Sequence, residues 1–388
     1  MPIDLIQNLT STSDGETLTA DMKLQRLKSS PPSLPFDLVI EILCRLPVKH
    51  LLQLRCVCKS WNSLISDDSK FAKKHLCLST SNQDHLHLNI TGMNSSNELL
   101  LFDFSISSIF TSASTTVQCP PFTWRRSYAL EVSTCDGILC VGGINGRLPF
   151  LYNPSIKKSK TLPPLKTTTT REVRPIKTLY SLVYHGFTNK YKILALTLYL
   201  NSKSEVNVHT LGTDYWRKIN DFPCHRRSCA EPGIFMNDTV NWLIYDTCSS
   251  SMVIVSLDLN KELYQKLLLP LGTSSHLGAT RGCLFVVSDW GQFSDLMIMK
   301  EYGNENSWTK LLRVPDMRDF GFTFTHKKAL YISEDNQVLM KFIMLDKFCL
   351  LVYDSINNTF KIPTIQNINH DKMAQPEVYI ESLISPSF

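Results

Sequence analysis

The hydrophobic positions of the chain change period once along its length. Residues 1–30 are rich in Ser, Thr and Asp and show little periodicity, which is the pattern of a flexible tail ended by Ser29-Ser30-Pro31-Pro32. From residue 34 to about 76 the apolar residues recur at helical spacing. Leu38, Ile42 and Leu46 stand at i, i+4 and i+8, with Val39 and Leu43 beside them. Pro35 suits a first helical turn, and Asp37 puts negative charge where the helix dipole favours it. Pro47 ends the run, because it lacks an N–H. A second short helix carries Val48, Leu51, Leu52 and Leu54. A third carries Val57, Cys58, Trp61, Leu64 and Ile65 as one apolar stripe. Asp67-Asp68 breaks it, and a further helical turn holds Phe71 and Leu76.

From about residue 77 onward the period is that of strands. Short apolar runs rich in β-branched and aromatic residues alternate with turn residues, as at 137–141, 239–245, 283–287 and 329–333. A repeat is visible: an apolar strand, a polar turn, an aromatic residue, then a short second strand. It runs from Leu151-Tyr152-Asn153-Pro154 to Leu162-Pro163, and from Val208 to Tyr215-Trp216. It recurs in the strands leading to Tyr264, Trp308 and Phe360. The steps from Trp216 to Tyr264 to Trp308 to Phe360 are 48, 44 and 52 residues, the length of a four-stranded propeller blade. In that reading each aromatic fills the interface between neighbouring blades. Residues 77–135 supply one or two eroded blades, with 85–90 and 99–104 as a hairpin. The expected fold is therefore a small all-α module of three helices followed by a large all-β domain, a degenerate β-propeller; a β-sandwich is the alternative. The domains are a tail (1–30), a helical module (31–76) and a β domain (77–388).

Composition narrows the class. Of 388 residues, 43% are hydrophobic and 19% charged, ample for a globular core. The net charge of +5 is mild and the basic residues are scattered, so no nucleic-acid surface is expected. The 12 cysteines are too sparse for a disulfide scaffold in a chain this long. No secretory opening and no apolar stretch of roughly 18–20 residues is present. The expectation is a cytosolic or nuclear chain with reduced thiols and no membrane partner.

Catalytic patterns are missing. Cys56-x-Cys58 lacks the spacing and the second pair of a zinc site and is read as two buried small residues on a helix. His85-x-His87 faces one side of a strand without a third ligand. Cys224-His225 and Cys229 have no partner cluster. The basic stretch Arg171 to Lys177 is read as a loop. No phosphate loop, nucleophile elbow or His-Glu-x-x-His occurs. No cofactor, metal or intrinsic enzymatic activity is expected.

The segment from Leu34-Pro35-Phe36-Asp37-Leu38 through Cys44-Arg45-Leu46-Pro47-Val48-Lys49, continued by Leu54-Arg55-Cys56-Val57-Cys58-Lys59-Ser60-Trp61 to Ile65, resembles an F-box over its whole length. Four further pieces resemble the F-box-associated domain of plant F-box, F-box/kelch and S-locus F-box proteins. They are Cys135-Asp136-Gly137-Ile138-Leu139-Cys140, Tyr152-Asn153-Pro154-Ser155, Asp214-Tyr215-Trp216-Arg217 and Tyr379-Ile380-Glu381-Ser382-Leu383. Of the kelch glycine pairs only Gly142-Gly143 fits. The resemblance implies a substrate-recognition subunit of a Skp-cullin-F-box ubiquitin ligase. The F-box docks on the Skp-type adaptor, and through it on cullin and the RING subunit, while the β domain holds a protein substrate. It permits a role in pollen self-incompatibility without selecting it. Carried over residue by residue, it places Leu34, Pro35, Leu38, Ile42 and Leu43 on the adaptor contact. Leu46, Pro47, Leu51, Leu54, Val57, Cys58 and Trp61 complete the set, with Trp61 as the best anchor. A module of about 32 residues cannot bury all of these within itself. Other readings are an F-box scaffold outside the ligase, a sugar-binding module, or a standalone propeller enzyme, which the lack of an acid, base or metal set disfavours.

Overall fold

The computed structural model describes residues 34–80, 82–93, 99–111, 117–118, 130–143, 149–166, 175–201, 203–223, 231–270, 273–315, 325–344, 347–363 and 374–387. The expected tail, Cys224, His225, Cys229 and the first four residues of the basic stretch lie outside them. The chain divides into two units, Met1–Leu43 and Cys44–Phe388.

In the first unit, α1 (Phe36–Leu43) starts where expected, and the Pro35 carbonyl accepts the Leu38 N–H at 3.0 Å. The second unit opens with α2 (Val48–Leu54), α3 (Lys59–Asp67) and α4 (Ser69–Ser79). Two expectations need correction. Val57 and Cys58 lie ahead of α3, not on its stripe. The amides of Arg55, Cys56 and Val57 turn back onto carbonyls of α2, and Cys58 is the extended N-cap of α3. That geometry leaves Cys56 and Cys58 exposed instead of buried. The single turn expected after Asp68 is a helix of 11 residues, because the Asp68 carboxylate accepts the Lys70 and Phe71 N–H groups at 2.8 and 3.0 Å and caps it.

The remainder forms six separate antiparallel sheets of four strands. Blade I is β1 (Leu86–Met93), β2 (Leu99–Ser105), β3 (Val117–Gln118) and β24 (Gln375–Ile380); a short helix α5 (Ile106–Thr111) follows β2. Blade II is β4 (Leu130–Cys135), β5 (Ile138–Gly143), β6 (Phe150–Asn153) and β7 (Lys158–Thr161). Blade III is β8 (Pro175–His185), β9 (Lys190–Tyr199), β10 (Ser204–Thr210) and β11 (Arg217–Lys218). Blade IV is β12 (Ile234–Met236), β13 (Thr239–Asp246), β14 (Ser251–Asp258) and β15 (Tyr264–Leu268). Blade V is β16 (Thr273–Thr280), β17 (Cys283–Asp289), β18 (Phe293–Met299) and β19 (Trp308–Pro315). Blade VI is β20 (Thr325–Ile332), β21 (Gln337–Met344), β22 (Lys347–Asp354) and β23 (Thr359–Lys361). This is a six-bladed β-propeller, and the sandwich alternative falls. The expected hairpin is β1–β2, with Ile90 opposite Phe102. Residues 77–135 thus supply three strands of one blade and the first strand of the next. The fourth strand of blade I comes from the far end of the sequence: β24 pairs with β1, Leu88 opposite Val378, and closes the ring.

The blades pack because their middle strands are apolar on both faces. In β14, Val253, Val255 and Leu257 join the core shared with blade III, while Ile254 joins the core shared with blade V. In β17, Phe285 and Val287 face blade VI, and Leu284 and Val286 face blade IV. A strand covered on both sides reads as a continuous apolar run, not as an alternation. Between blades II and III, Gly142 is required by close approach: a Cβ there would stand 2.4 Å from the Tyr180 ring.

The repeating aromatics sit where the spacing put them, at the start of the fourth strands. Trp216 precedes β11, Tyr264 opens β15, Trp308 opens β19 and Phe360 lies in β23. Each of the first three also reaches back to a carbonyl of the preceding blade. The Trp216 indole donates to Pro163 O (2.9 Å), the Tyr264 hydroxyl to Asn220 O (3.2 Å) and the Trp308 indole to Leu268 O (3.1 Å).

Candidate functional site

The F-box residues separate by exposure. In the first unit, Leu34, Phe36, Leu38 and Ile42 are about half exposed (52%, 47%, 50% and 53%), Pro35 is exposed and Leu43 is buried. In the second unit, Val57 (62%) and Cys58 are exposed, Leu46, Pro47, Leu54 and Trp61 are half-buried, and Leu51 is buried. Leu64 and Ile65 of α3 are buried. A globular chain normally covers large apolar side chains, so the informative members are the exposed ones.

Helices α2 and α4 are tied to the propeller through its last strand. The Glu381 carboxylate, just past β24, accepts the Val48 N–H at the start of α2 (3.1 Å) and bonds the His85 Nδ1 at 2.5 Å. A propeller residue therefore satisfies an orphan amide at the N-terminus of an F-box helix, where negative charge also suits the dipole. The ring of His75 in α4 stands edge-on to His85 at 5.9 Å, and its Nε2 bonds Leu46 O at 2.9 Å. Burial pushes the His75 imidazole below its usual range, against the Leu46 carbonyl and the Glu381 charge. Lys73 donates to Asn189 Oδ1 (2.8 Å) beside the β8–β9 turn.

The motifs behind the family resemblance converge on the same tail. Asp136-Gly137 is the two-residue turn of the β4–β5 hairpin, with φ of 51° and 81°, the left-handed pair that such turns need. A Cβ on Gly137 would stand 2.4 Å from Ser382 Oγ. The Ser382 hydroxyl donates to Asp136 O, and the buried Asn153 amide donates to Ser382 O (3.0 Å) and Ile384 O (2.8 Å). The Cys-Asp-Gly and Tyr-Asn-Pro pieces thus clamp the C-terminal segment that closes the ring. His85 and His87 do not converge: His85 binds Glu381, while His87 on β1 binds Asp103 at 3.1 Å.

A second constellation lies in the channel, and sequence reading missed it. The first strands β24, β4, β8, β12, β16 and β20 adjoin one another in a closed circle. Each contributes an ionisable side chain, on it or just before it, to one linked set: Glu377, Glu131, Lys177, Glu231, His276 and Lys328. Lys177 pairs with Glu131 at 2.7 Å, so this end of the basic stretch is channel wall, not loop. Glu231 bonds His276 at 2.8 Å and stands 3.9 Å from Lys328, which pairs with Glu377 at 2.6 Å. Burial would raise the Glu231 carboxyl, but Lys328 and His276 outweigh it and hold it well below the carboxylate range. Burial likewise opposes the Lys328 charge, and Glu231 with Glu377 hold its ammonium above the usual lysine range. Lys341 on β21 lies opposite Lys328 and donates to Ala374 O at 2.9 Å. Burial and then the Lys328 charge push it down to about 8. Uncharged hydrogen bonds complete the circle: Ser133 Oγ accepts Leu182 N–H (3.0 Å), Ser181 Oγ accepts Gly233 N–H (2.7 Å), and Thr134 Oγ1 donates to Val378 O (3.3 Å). The charged positions are spaced 45 to 54 residues apart through most of the chain, and the only signal that links them is the blade period itself. Among the described residues no group of three or more His, Cys, Asp or Glu could hold a metal ion, and no helix is long and apolar enough to cross a membrane.

Helices α2 and α4, joined through a buried Glu–His network to a closed six-bladed propeller, define an F-box protein of the propeller class. Comparison with known proteins agrees. The F-box associated beta propeller domain matches residues 89–384 and the F-box domain matches residues 31–73. The chain belongs to this family. It is 31% identical to the F-box/kelch-repeat protein At3g23880 of Arabidopsis thaliana, over 92% of this chain and 97% of that one. It is 23% identical to F-box protein CPR1 of the same plant, over 79% of each chain. Among solved structures, TolB from Acinetobacter baumannii shares the propeller fold, with a TM-score of 0.51 at 12% identity, over 80% of this chain and 73% of that one.

Proposed function

We propose that this chain is the substrate-recognition subunit of a Skp-cullin-F-box ubiquitin ligase. The F-box docks on the Skp-type adaptor, which is held by cullin with its RING subunit, and the propeller holds a protein substrate. The chain contributes proximity, and the transfer chemistry takes place on other subunits. The observation that carries the reading is the exposed apolar set on the F-box, Leu34, Phe36, Leu38, Ile42 and Val57, in a segment that matches the F-box domain. The reading assigns the adaptor contact to these residues together with Pro35, Cys58 and Trp61. It assigns substrate to the end of the propeller away from α2 and α4, where loops vary without disturbing the docking helices.

The test is co-purification. Leu34→Ala combined with Pro35→Ala, and separately Val57→Asp, should lower recovery of the Skp-type adaptor at least about tenfold. The circular dichroism and melting midpoint of the propeller should not change, since all three side chains are exposed. Undiminished adaptor recovery by both variants would rule out this surface. If adaptor is recovered but cullin never is, the chain acts as a scaffold outside the ligase. Proximity labelling with an F-box-deleted form should trap the substrate that the intact chain sends to degradation.

A further inference from the structure

The channel encloses a cavity of about 330 Å³, walled by β4, β12, β16, β20 and β24 and by the residues beside them. Glu231, His276, Lys328 and Glu377 form one charged side of it, and Phe235 and Phe285 lie among its apolar walls. We propose that this cavity is a binding site for an uncharged, polyhydroxylated small molecule, a single-ring sugar or cyclitol.

Charge selects the class. The charged groups at the cavity are already engaged: Glu231 by His276 and Lys328, Lys328 by Glu377, and the Asp136 carboxylate by the Tyr191 hydroxyl. An anion or cation entering here would displace one member of a pair and leave the other unpaired in the wall, which is costly. A hydroxyl both donates and accepts. A polyol therefore lies across the pairs, donating to the carboxylates and accepting from Lys328, without separating them. Phe235 and Phe285 add apolar carbon to the wall, as in small-molecule sites generally. Such sites run from about 300 to 1,000 Å³, so this one takes a single ring.

A separate observation concerns the strands behind this wall. Among the described residues, the buried side chains whose polar atoms have no partner are Asn89, Trp242 and Ser288. All three sit on second strands, β1, β13 and β17, one strand behind the channel wall. Asn89 lies directly opposite Glu377 in the β1–β24 register. The Trp242 indole nitrogen stands against Gly233, a wall residue of the cavity, 2.7 Å from where a Cβ would be. Buried polar groups in native proteins are nearly always satisfied; these three stand behind the wall and do not themselves line the cavity.

The test uses the full chain. Calorimetric titration and thermal melts are run with myo-inositol and glucose, and with inorganic phosphate and arginine as charged comparisons. A neutral polyol should bind saturably and raise the melting midpoint with concentration, while phosphate and arginine should not. Ala279→Leu narrows the cavity at an exposed wall position without touching a charge, and should weaken polyol binding at least about tenfold. The proposal is overturned if neither polyol binds the unaltered chain, if phosphate or arginine binds instead, or if Ala279→Leu binds as before. The Leu34→Ala, Pro35→Ala form should keep full polyol binding, so failure of the receptor reading and failure of this one are separable.

Discussion

Single residues carry the two electrostatic features that set this chain apart from a bare propeller. Glu381 is one, with Val48 N–H and His85 Nδ1 on the same oxygen. Its removal strands a buried amide and a buried ring nitrogen together. Glu381→Ala should cost about 3 kcal/mol, read as a lower melting midpoint and as faster protease cutting within α2–α4. An unchanged midpoint would show that the link is not stabilising. Lys341 is the other. Its pKa is about 8 in the fold and 10.5 in the ordinary range, so between those values the unfolded chain binds more protons and stability rises with pH. Below about pH 8 the penalty of the buried charge is fully present. Lys341→Met should therefore raise the midpoint at pH 7 and flatten the rise between pH 8 and 10.5. A parallel pair of midpoint–pH curves for the two proteins would contradict the assignment.

At the scale of elements, the apolar middle strands pack the blades together, and aromatics on three outer strands add a tie to the blade before. Two-residue turns with both φ positive recur at Asp136-Gly137, Asn237-Asp238 and Arg281-Gly282, each joining a first to a second strand. Their twist matches the strands they join. Trp216, Tyr264 and Trp308, at the starts of three fourth strands, tie those strands back to the preceding blade. Trp216→Phe keeps the ring but removes the donor to Pro163 O. It should cost about 1 kcal/mol, whereas Trp216→Ala, which also loses the packing on Tyr180 and His209, should cost about 3 kcal/mol. Equal losses for the two substitutions in thermal melts would mean that the hydrogen bond, not the packing, dominates.

For the molecule as a whole, closure is the decisive event. β24 belongs to the first blade, and its following segment is held by Asn153, Asp136 and His85. Opening the ring would expose the apolar faces of blades I, II and VI and break the circle of first strands. A chain ending at residue 373 should lose its cooperative melt and become protease-sensitive throughout the propeller. A truncated chain that melts within a few degrees of the full one would show that the blades do not depend on closure.

The sequence alone determined what depends on near neighbours. Helical spacing and two prolines marked the F-box, apolar runs marked the strands, and the recurring aromatics gave the blade length, because each reflects a local period of 3.6, 2 or one blade. It misjudged Cys56 and Cys58, since period cannot tell a helix stripe from the turn ahead of it. Only the tertiary structure decided that there are six blades, that residues 375–380 complete the first one, and that six ionisable side chains meet in the channel. Those facts rest on contacts between residues tens to hundreds of positions apart, where pairing is chosen by burial and charge balance across the ring and leaves no mark in the local pattern.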